Sequence, residues 1–241
     1  MSGHSKWSKI KRKKGVADSK RANIFTKLAK NITIAARNGD DPDMNFTLKL
    51  AMNQAKAANM PKDNIQRAID SGSKKSEGTQ LEEKAFEGYG PNGIAFIVET
   101  VSDNNNRVVA EVKAILTKFG GTLGAPGSVM WMFTKKGAIS ISKEDMGETE
   151  SEDLQLKAIE LEALDIIEED EGISIYTEPG KLLSTVESLE KENIKITESE
   201  ISMIASDEIE VENKIQEKLE RIFEALDEND DVVNYYTNAK V

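Results

Sequence analysis

The sequence predicts an α+β protein: a small all-α N-terminal domain followed by two α/β, ferredoxin-like domains, one inserted in the other. Three observations lead there. Apolar residues recur at helical spacing across residues 18–72, and short β-type runs alternating with helices take over beyond residue 80. Residues 136–206 spell β-α-β-β-α-β, the split βαβ order. The elements around that block spell β-α-β before it and α-β after it. The expected domains are therefore 1–78, then 79–135 completed by 207–241, with 136–206 inserted between them.

The first helix carries Phe25, Leu28, Ala29, Ile32 and Ala36 on one stripe and Lys20, Arg21, Lys27, Lys30 and Arg37 on its other faces. Asn38-Gly39-Asp40-Asp41-Pro42-Asp43 is a turn cluster whose acids are expected to sit at the start of the next helix, where its dipole favours them. A cation site is the weaker alternative, with Pro42 in the middle. Helix two runs to about Ala58 on Leu48, Ala51, Met52, Ala55 and Ala58. Pro61 suits the first turn of a third helix carrying Ile65, Ala68 and Ile69, which stops near Gly72. Residues 72–80 read as a hinge.

Beyond the hinge, 94–98 is a buried strand, and Asp103-Asn104-Asn105 caps a helix over 105–119 that ends at Gly120-Gly121. Val129–Phe133 reads as a strand with Trp131 in the core or on a strand face. Strands at 137–142, 165–169, 172–176 and 194–204 are interleaved with helices at 151–164 and 179–192. A helix at 211–227 leads into a last strand at 231–237.

Charge is distributed unevenly along these elements. Residues 1–37 hold eleven basic residues and a single acid, Asp18. Residues 1–75 carry 17 basic and 6 acidic residues, a charge of +11, so the remaining 15 basic and 37 acidic residues give the rest of the chain −22 and the whole −11. Lys6, Lys9, Lys11, Arg12, Lys13 and Lys14 crowd around Trp7. A basic tail running into a basic amphipathic helix is the footprint of a nucleic-acid binder, and the acidic remainder would repel the polymer and orient the molecule basic end inward. The plain alternative is a solvated tail. A mitochondrial transit peptide is also basic and poor in acids, but eight Lys against three Arg argues against one, and no apolar segment follows the charges as a secretory signal requires. Two readings of Trp7 are open: stacking on a base, or packing back on the helical domain.

Composition excludes several chemistries. With no cysteine there is no disulfide, thiolate zinc site or cysteine nucleophile, which suits a reducing compartment. Apolar content of 38% against 31% charged residues is that of a hydrophilic globular chain, and no apolar run approaches the ~20 residues of a membrane span. The single histidine, His4, lies in the basic tail. Gly88-Tyr89-Gly90-Pro91-Asn92-Gly93 matches GxGxxG, but it precedes a strand and contains proline, so it is a turn and not a dinucleotide loop. Glu168-Glu169-Asp170-Glu171 reads as a solvated hairpin turn. No carboxylate pair stands out as acid and base. The reading is of a non-enzyme with no cofactor or metal.

Several segments carry a family resemblance: Gly3-His4-Ser5-Lys6-Trp7 with IKRKK, DSKRANIFTKLAKNI at 18–32, ANMPKDNIQRAI at 58–69, EGYGPNG at 87–93, SDNNNR at 102–107 and GSVMWMFTKKG at 127–137. In this order they resemble the YebC/PmpR family, which includes the mitochondrial translational activator of cytochrome oxidase. The C-terminal third is more divergent, although 226–241 is similar to the family's closing segment. Ala125-Pro126 and Trp131, where a smaller aromatic is usual, depart from the pattern without touching the basic arm. The resemblance implies three domains, a cytoplasmic or mitochondrial setting, and a DNA-binding transcriptional regulator. Other members are linked to translation, so ribosomal or structured RNA is the alternative polymer. Lys6, Trp7, Lys9, Lys11, Arg12, Lys13, Lys14, Lys20 and Arg21 inherit the nucleic-acid role, and Lys27 and Lys30 extend it along the helix. The acidic α/β domains then face away, toward a protein partner.

Overall fold

The computed structural model describes Trp7, Ile10 and residues 18–73, 81–147 and 149–240, with the side chains of 18–20 left aside. The expected hinge at 72–80 falls mostly outside these residues. Three helices come first: α1 (Asp18–Ala36), α2 (Phe46–Ala57) and α3 (Lys62–Ser73). Their shared core is Ile32, Ala35, Ala36, Leu48, Ala51, Ala55, Met60, Ile65, Ala68 and Ile69, the stripe that helical periodicity selects. Gly72 lets α3 approach α1 closely, since a Cβ there would lie 2.1 Å from the Thr33 carbonyl oxygen. The cap of α2 differs from expectation. No acid stands in its first turn. Asn45 caps it instead, accepting from Leu48 N at 3.1 Å while its amide donates to the Ala35 and Gly39 carbonyls at 2.8 and 2.7 Å. One buried side chain thus ends α1 and starts α2, which leaves Asp40, Asp41 and Asp43 in the exposed turn.

Two four-stranded antiparallel sheets follow. The first contains β1 (Glu82–Tyr89), β2 (Ala95–Ser102), β3 (Thr122–Leu123) and, from the far end of the chain, β9 (Val232–Thr237), in the order β3-β1-β2-β9. Helix α4 (Asn105–Lys118), capped by Asn104, and helix α8 (Asn213–Glu228) cover one face. Val108, Val112 and Leu116 meet Leu219, Ile222 and Phe223 over Ile94, Phe96 and Val98, with Phe223 stacked on Tyr235 at 5.5 Å. The second sheet is built from β4 (Phe133–Ser142), β5 (Asp165–Glu169), β6 (Gly172–Thr177) and β7 (Glu198–Ala205) in the order β5-β6-β4-β7. That is the ferredoxin-like order, with α6 (Ser151–Glu160) and α7 (Leu182–Lys191) packed on Ile139, Ile141, Ile173 and Ile175. A short helix α5 (Lys143–Met146) follows β4, and β8 (Ile209–Glu210) pairs in parallel with β10 (Ala239–Lys240).

Two segments differ from the sequence expectation, and one side chain explains both. Strand β1 sits inside the first sheet although its buried residues are Glu87 and Gly88, an acid and a residue without a side chain. A Cβ at Gly88 would lie 2.7 Å from the Thr122 carbonyl oxygen and 2.8 Å from Leu116 Cδ1, so helix α4 and β3 require glycine there. Residues 129–132 are not a strand, and strand geometry begins only at Phe133. Glu87 reaches across to accept from the backbone N–H groups of Gly127 at 2.5 Å and of Val129 and Met130 at 2.7 Å. Those donors are therefore taken by a carboxylate and not by a neighbouring strand, so Met130–Met132 wind into a 3₁₀ turn and Trp131 stands exposed.

Burial acts to raise the Glu87 pKa, and the three backbone donors outweigh it and hold the group below its ordinary value of 4.5. A depressed carboxylate stabilises the fold above its unfolded pKa and loses that contribution as pH falls through the folded value. We expect Glu87→Gln to lower unfolding free energy at neutral pH by about 1.5–3 kcal/mol. Chemical denaturation across pH checks this, with the gap between wild type and variant closing as pH drops below 4.5.

Candidate nucleic-acid interface

The three helices are fixed to the rest of the molecule at two places. On one side, α2 inserts Leu50 into the core beneath the second sheet, with Phe46 packed beside it. Gln54 donates to the Ser199 carbonyl at 3.2 Å, and Lys49 pairs with Glu187 at 2.8 Å. The last contact is half exposed and contributes little on its own.

On the other side, α1 lies against the corner between α8 and β9. Lys27 Nζ donates to the carbonyls of Leu226 and Asp227 at 3.0 and 2.7 Å. These are among the carbonyls that the last turn of α8 leaves without intrahelical partners, and a cation there also meets the negative end of the helix dipole. Lys30 Nζ, one turn further along α1, donates to the Asp230 carbonyl at 2.8 Å and to Asp231 Oδ1 at 2.7 Å. The other oxygen of Asp231 accepts from Arg107 Nη2 at 2.7 Å and Nε at 3.2 Å. Asp231 is buried, which by itself would raise its pKa, but Lys30 and Arg107 outweigh burial and hold it below 3.8.

Of the sequence-selected cations, Lys27 and Lys30 are thus committed inside the molecule. Spacing i,i+3 on a basic helix face reads as a polyanion surface, yet here it matches the spacing of carbonyls and a carboxylate on another element. Lys6, Lys9, Lys11, Arg12, Lys13 and Lys14 lie outside the described residues, and Lys20 lies on α1 with its side chain undescribed. Arg21 is exposed at the start of α1, the end toward the arm. Trp7 is 3% exposed and Ile10 is also buried. The indole is therefore an anchor, and its Nε1 has no hydrogen-bond partner among the described residues.

Between the helices and the two sheets lies an open cleft of about 1440 Å3. Arg21, Lys27 and Lys56 line it from the helical side; from the sheet units come Lys84 and Lys135 but also Glu83, Glu99, Glu198 and Glu200, with Glu190 on α7 and Glu224, Asp227 and Glu228 on α8. Acids outnumber bases along its walls, so it disfavours a polyanion, which leaves the basic N-terminal end as the electrostatically favoured approach. Among the described residues no helix is long and apolar enough to cross a membrane, and no cluster of three or more potential ligands could hold a metal.

A helical unit carrying a basic N-terminal arm, docked through the buried Lys30–Asp231 pair and the apolar contact of Leu50 onto two acidic sheet units, defines an α+β protein organised by charge segregation. The chain belongs to the TACO1/YebC family: residues 5–75 match the model of its N-terminal domain and residues 81–239 that of its second and third domains. It is 47% identical to a protein of Herpetosiphon aurantiacus, across the full length of this chain and 95% of the relative. It is 46% identical to a protein of Nitratiruptor over 100% of both chains. Each relative is named a "Probable transcriptional regulatory protein", which supports a regulatory role. The crystal structure of a conserved hypothetical protein from Aquifex aeolicus superposes with a TM-score of 0.84 at 38% identity, covering 92% of this chain and 91% of that one.

Sequence reasoning missed Asp231 as the partner of α1 and Arg107 as the second cation on that carboxylate, although both lie in segments that carry the family resemblance. Asp231 and Lys30 are both largely shielded from solvent, whereas Arg107 is half exposed, so the Lys30–Asp231 pair is the buried ion pair of the docking contact. Asp231→Asn should lower stability by about 2–4 kcal/mol, the cost of leaving a buried cation without its anion. The sign of the shift adds a pH signature: the contribution of Asp231 is present above 3.8 and lost as pH falls through its depressed value. Thermal unfolding of wild type and variant from neutral to acid pH checks both, the two curves converging on acidification.

Proposed function

We propose that this protein is a non-enzymatic, cytoplasmic, nucleic-acid-binding regulator that grips the phosphate backbone with its basic N-terminal arm. The observation that carries the reading is the charge split, +11 in residues 1–75 against −22 in the remainder. Lys6, Lys9, Lys11, Arg12, Lys13, Lys14, Lys20 and Arg21 supply the phosphate contacts. Trp7 and Ile10 root the arm in the body, and Lys27 and Lys30 hold the helical unit in place. The acidic sheet units face away from the polymer, toward a protein partner. The names of the relatives put the regulated step at transcription, which makes duplex DNA the first polymer to consider.

One observation favours a second reading, a translation factor bound to ribosomal or structured RNA. The pair α2 and α3, joined by the turn at 58–61, would be the natural groove-reading motif. The outward face of α3, however, balances Lys62 and Arg67 against Asp63 and Asp70, and Gln66 is hydrogen-bonded to Asp70 at 2.9 Å. Such a face is poorly suited to reading base edges, and phosphate contacts position a protein without specifying sequence.

Binding to duplex DNA, structured RNA and purified ribosomes across a salt series separates the readings. If ~6–10 phosphates are contacted, affinity falls about 10³–10⁵-fold between roughly 50 and 200 mM salt. Alanine at Lys9, Lys11, Arg12, Lys13 and Lys14 together should make that dependence shallower. Retention of one duplex over bulk competitor supports the transcriptional reading, and preference for ribosomes supports the second. Unchanged binding by the variant would overturn the role of the arm.

A further inference from the structure

The acid-walled cleft contains one carboxylate that the fold does not neutralise. Glu200 lies on β7, an edge strand of the second sheet, and lines the cleft while being only 6% exposed. Among the described residues no side chain donates to it, and none of the five bases on the cleft walls pairs with it. The other two buried acids are fully served: Glu87 takes three backbone donors, and Asp231 takes Lys30 and Arg107. Withdrawing a carboxylate from water without a partner is costly. A buried acid left open toward a cavity is therefore matched to a cation from outside the fold.

The surroundings of Glu200 narrow the ligand. The buried Tyr236 of β9 donates its hydroxyl to Glu99 Oε2 at 3.1 Å and accepts from Asn234 Nδ2 at 2.7 Å. Burial holds the Tyr236 pKa well above 10.0, and the charges of Glu99 and Glu200 raise it further, so acids of both sheets converge on one hydroxyl. Ile24, Leu28, Ile196 and Met203 line the same cleft and are half-buried. A surface that mixes carboxylates with aliphatic side chains suits a cation carried on methylenes, whose stem lies on the apolar parts while its head meets the acids. A bare metal ion fits poorly, because among the described residues no three ligands come together to hold one.

We propose that the cleft binds an aliphatic chain bearing several ammonium groups, with Glu200 as the acid that anchors one of them. Two sources share this chemistry, a free polyamine and a lysine-rich segment of a partner protein. The cleft volume of about 1440 Å3 admits either, and eight acids against five bases on its walls leave three carboxylates in excess. The second source agrees with acidic sheet units that face a protein. The site does not require the arm to bind nucleic acid, so it stands or falls independently of that reading.

The test is calorimetric titration of the full chain with spermine, with a short peptide of alternating lysine and alanine, and with magnesium chloride at matched ionic strength. Spermine should bind saturably at one site, and magnesium should not. Glu200→Gln should weaken spermine binding about 10–100-fold. Glu198→Gln, half-buried on the same strand, should weaken it less, and Glu152→Gln, exposed on α6, should leave it unchanged. Without ligand, Glu200→Gln should melt at or above the wild-type temperature, because it removes an unpaired buried carboxylate. Peptide binding tighter than spermine, and lost in the same variant, assigns the ligand to a protein, whereas the reverse order assigns it to a free polyamine. The proposal is overturned if spermine shows no saturable binding, if it binds Glu200→Gln as well as wild type, or if magnesium binds equally. A clearly lowered melting temperature for Glu200→Gln would overturn it by making the residue structural. Spermine binding confined to the five-residue arm variant would do so by making the cleft the seat of the chain's own arm.

Discussion

A carboxylate buried at Asp231 holds the architecture together, because it has to be neutralised and the two cations that neutralise it come from different parts of the chain. Lys30 arrives from the first helix and Arg107 from the helix over the first sheet. Withdrawing a carboxylate from water is costly unless it is paired and hydrogen-bonded, so the buried group favours the docked arrangement of all three elements. Lys27, on the carbonyls at the end of the 213–228 helix, adds a second fixed point one turn away. With α2 inserted beneath the second sheet on the opposite side, the helical unit has little freedom to rotate.

That constraint has an electrostatic consequence. Two cations of the basic helix are held by internal acceptors, Lys30 by a carboxylate and Lys27 by carbonyls, and the wide cleft beside them is walled mostly by acids. The positive potential that would attract a polyanion is thereby concentrated toward the arm, whose buried residues Trp7 and Ile10 tie it to the body. Charge segregation along the sequence is carried into space by the fixed docking of the helical unit, whose Arg21, Lys27 and Lys56 meet the acid-rich walls of the cleft.

The sequence was most readable where periodicity and packing agree. Ile65, Ala68 and Ile69 on the third helix, the Asn104 cap, and the strands read at 165–169 and 172–176, the second of which extends one residue further to Thr177, follow from pattern alone. It was least readable where a polar side chain acts across the fold. Strand β1 buries Glu87 and Gly88, which no hydrophobic pattern would select, and the same Glu87 turns the start of the apolar run, residues 129–132, away from strand geometry. Asn45 displaced three neighbouring acids as the helix cap for a similar reason, since its amide serves two carbonyls at once. Among the site residues, Lys27 and Lys30 have the spacing of a phosphate-binding face, and only the carbonyls and carboxylate opposite them reveal that they serve docking.

The central claim is this division of labour between cations of the arm and cations of the first helix. It is tested most directly by the salt dependence of nucleic-acid binding for a Lys27→Ala, Lys30→Ala double variant beside wild type. The account predicts an unchanged slope together with a clearly lowered melting temperature, because these lysines support the fold and touch no phosphate. A slope reduced by about 0.9 for each lysine removed, with stability unaltered, would contradict it and return both residues to the binding surface.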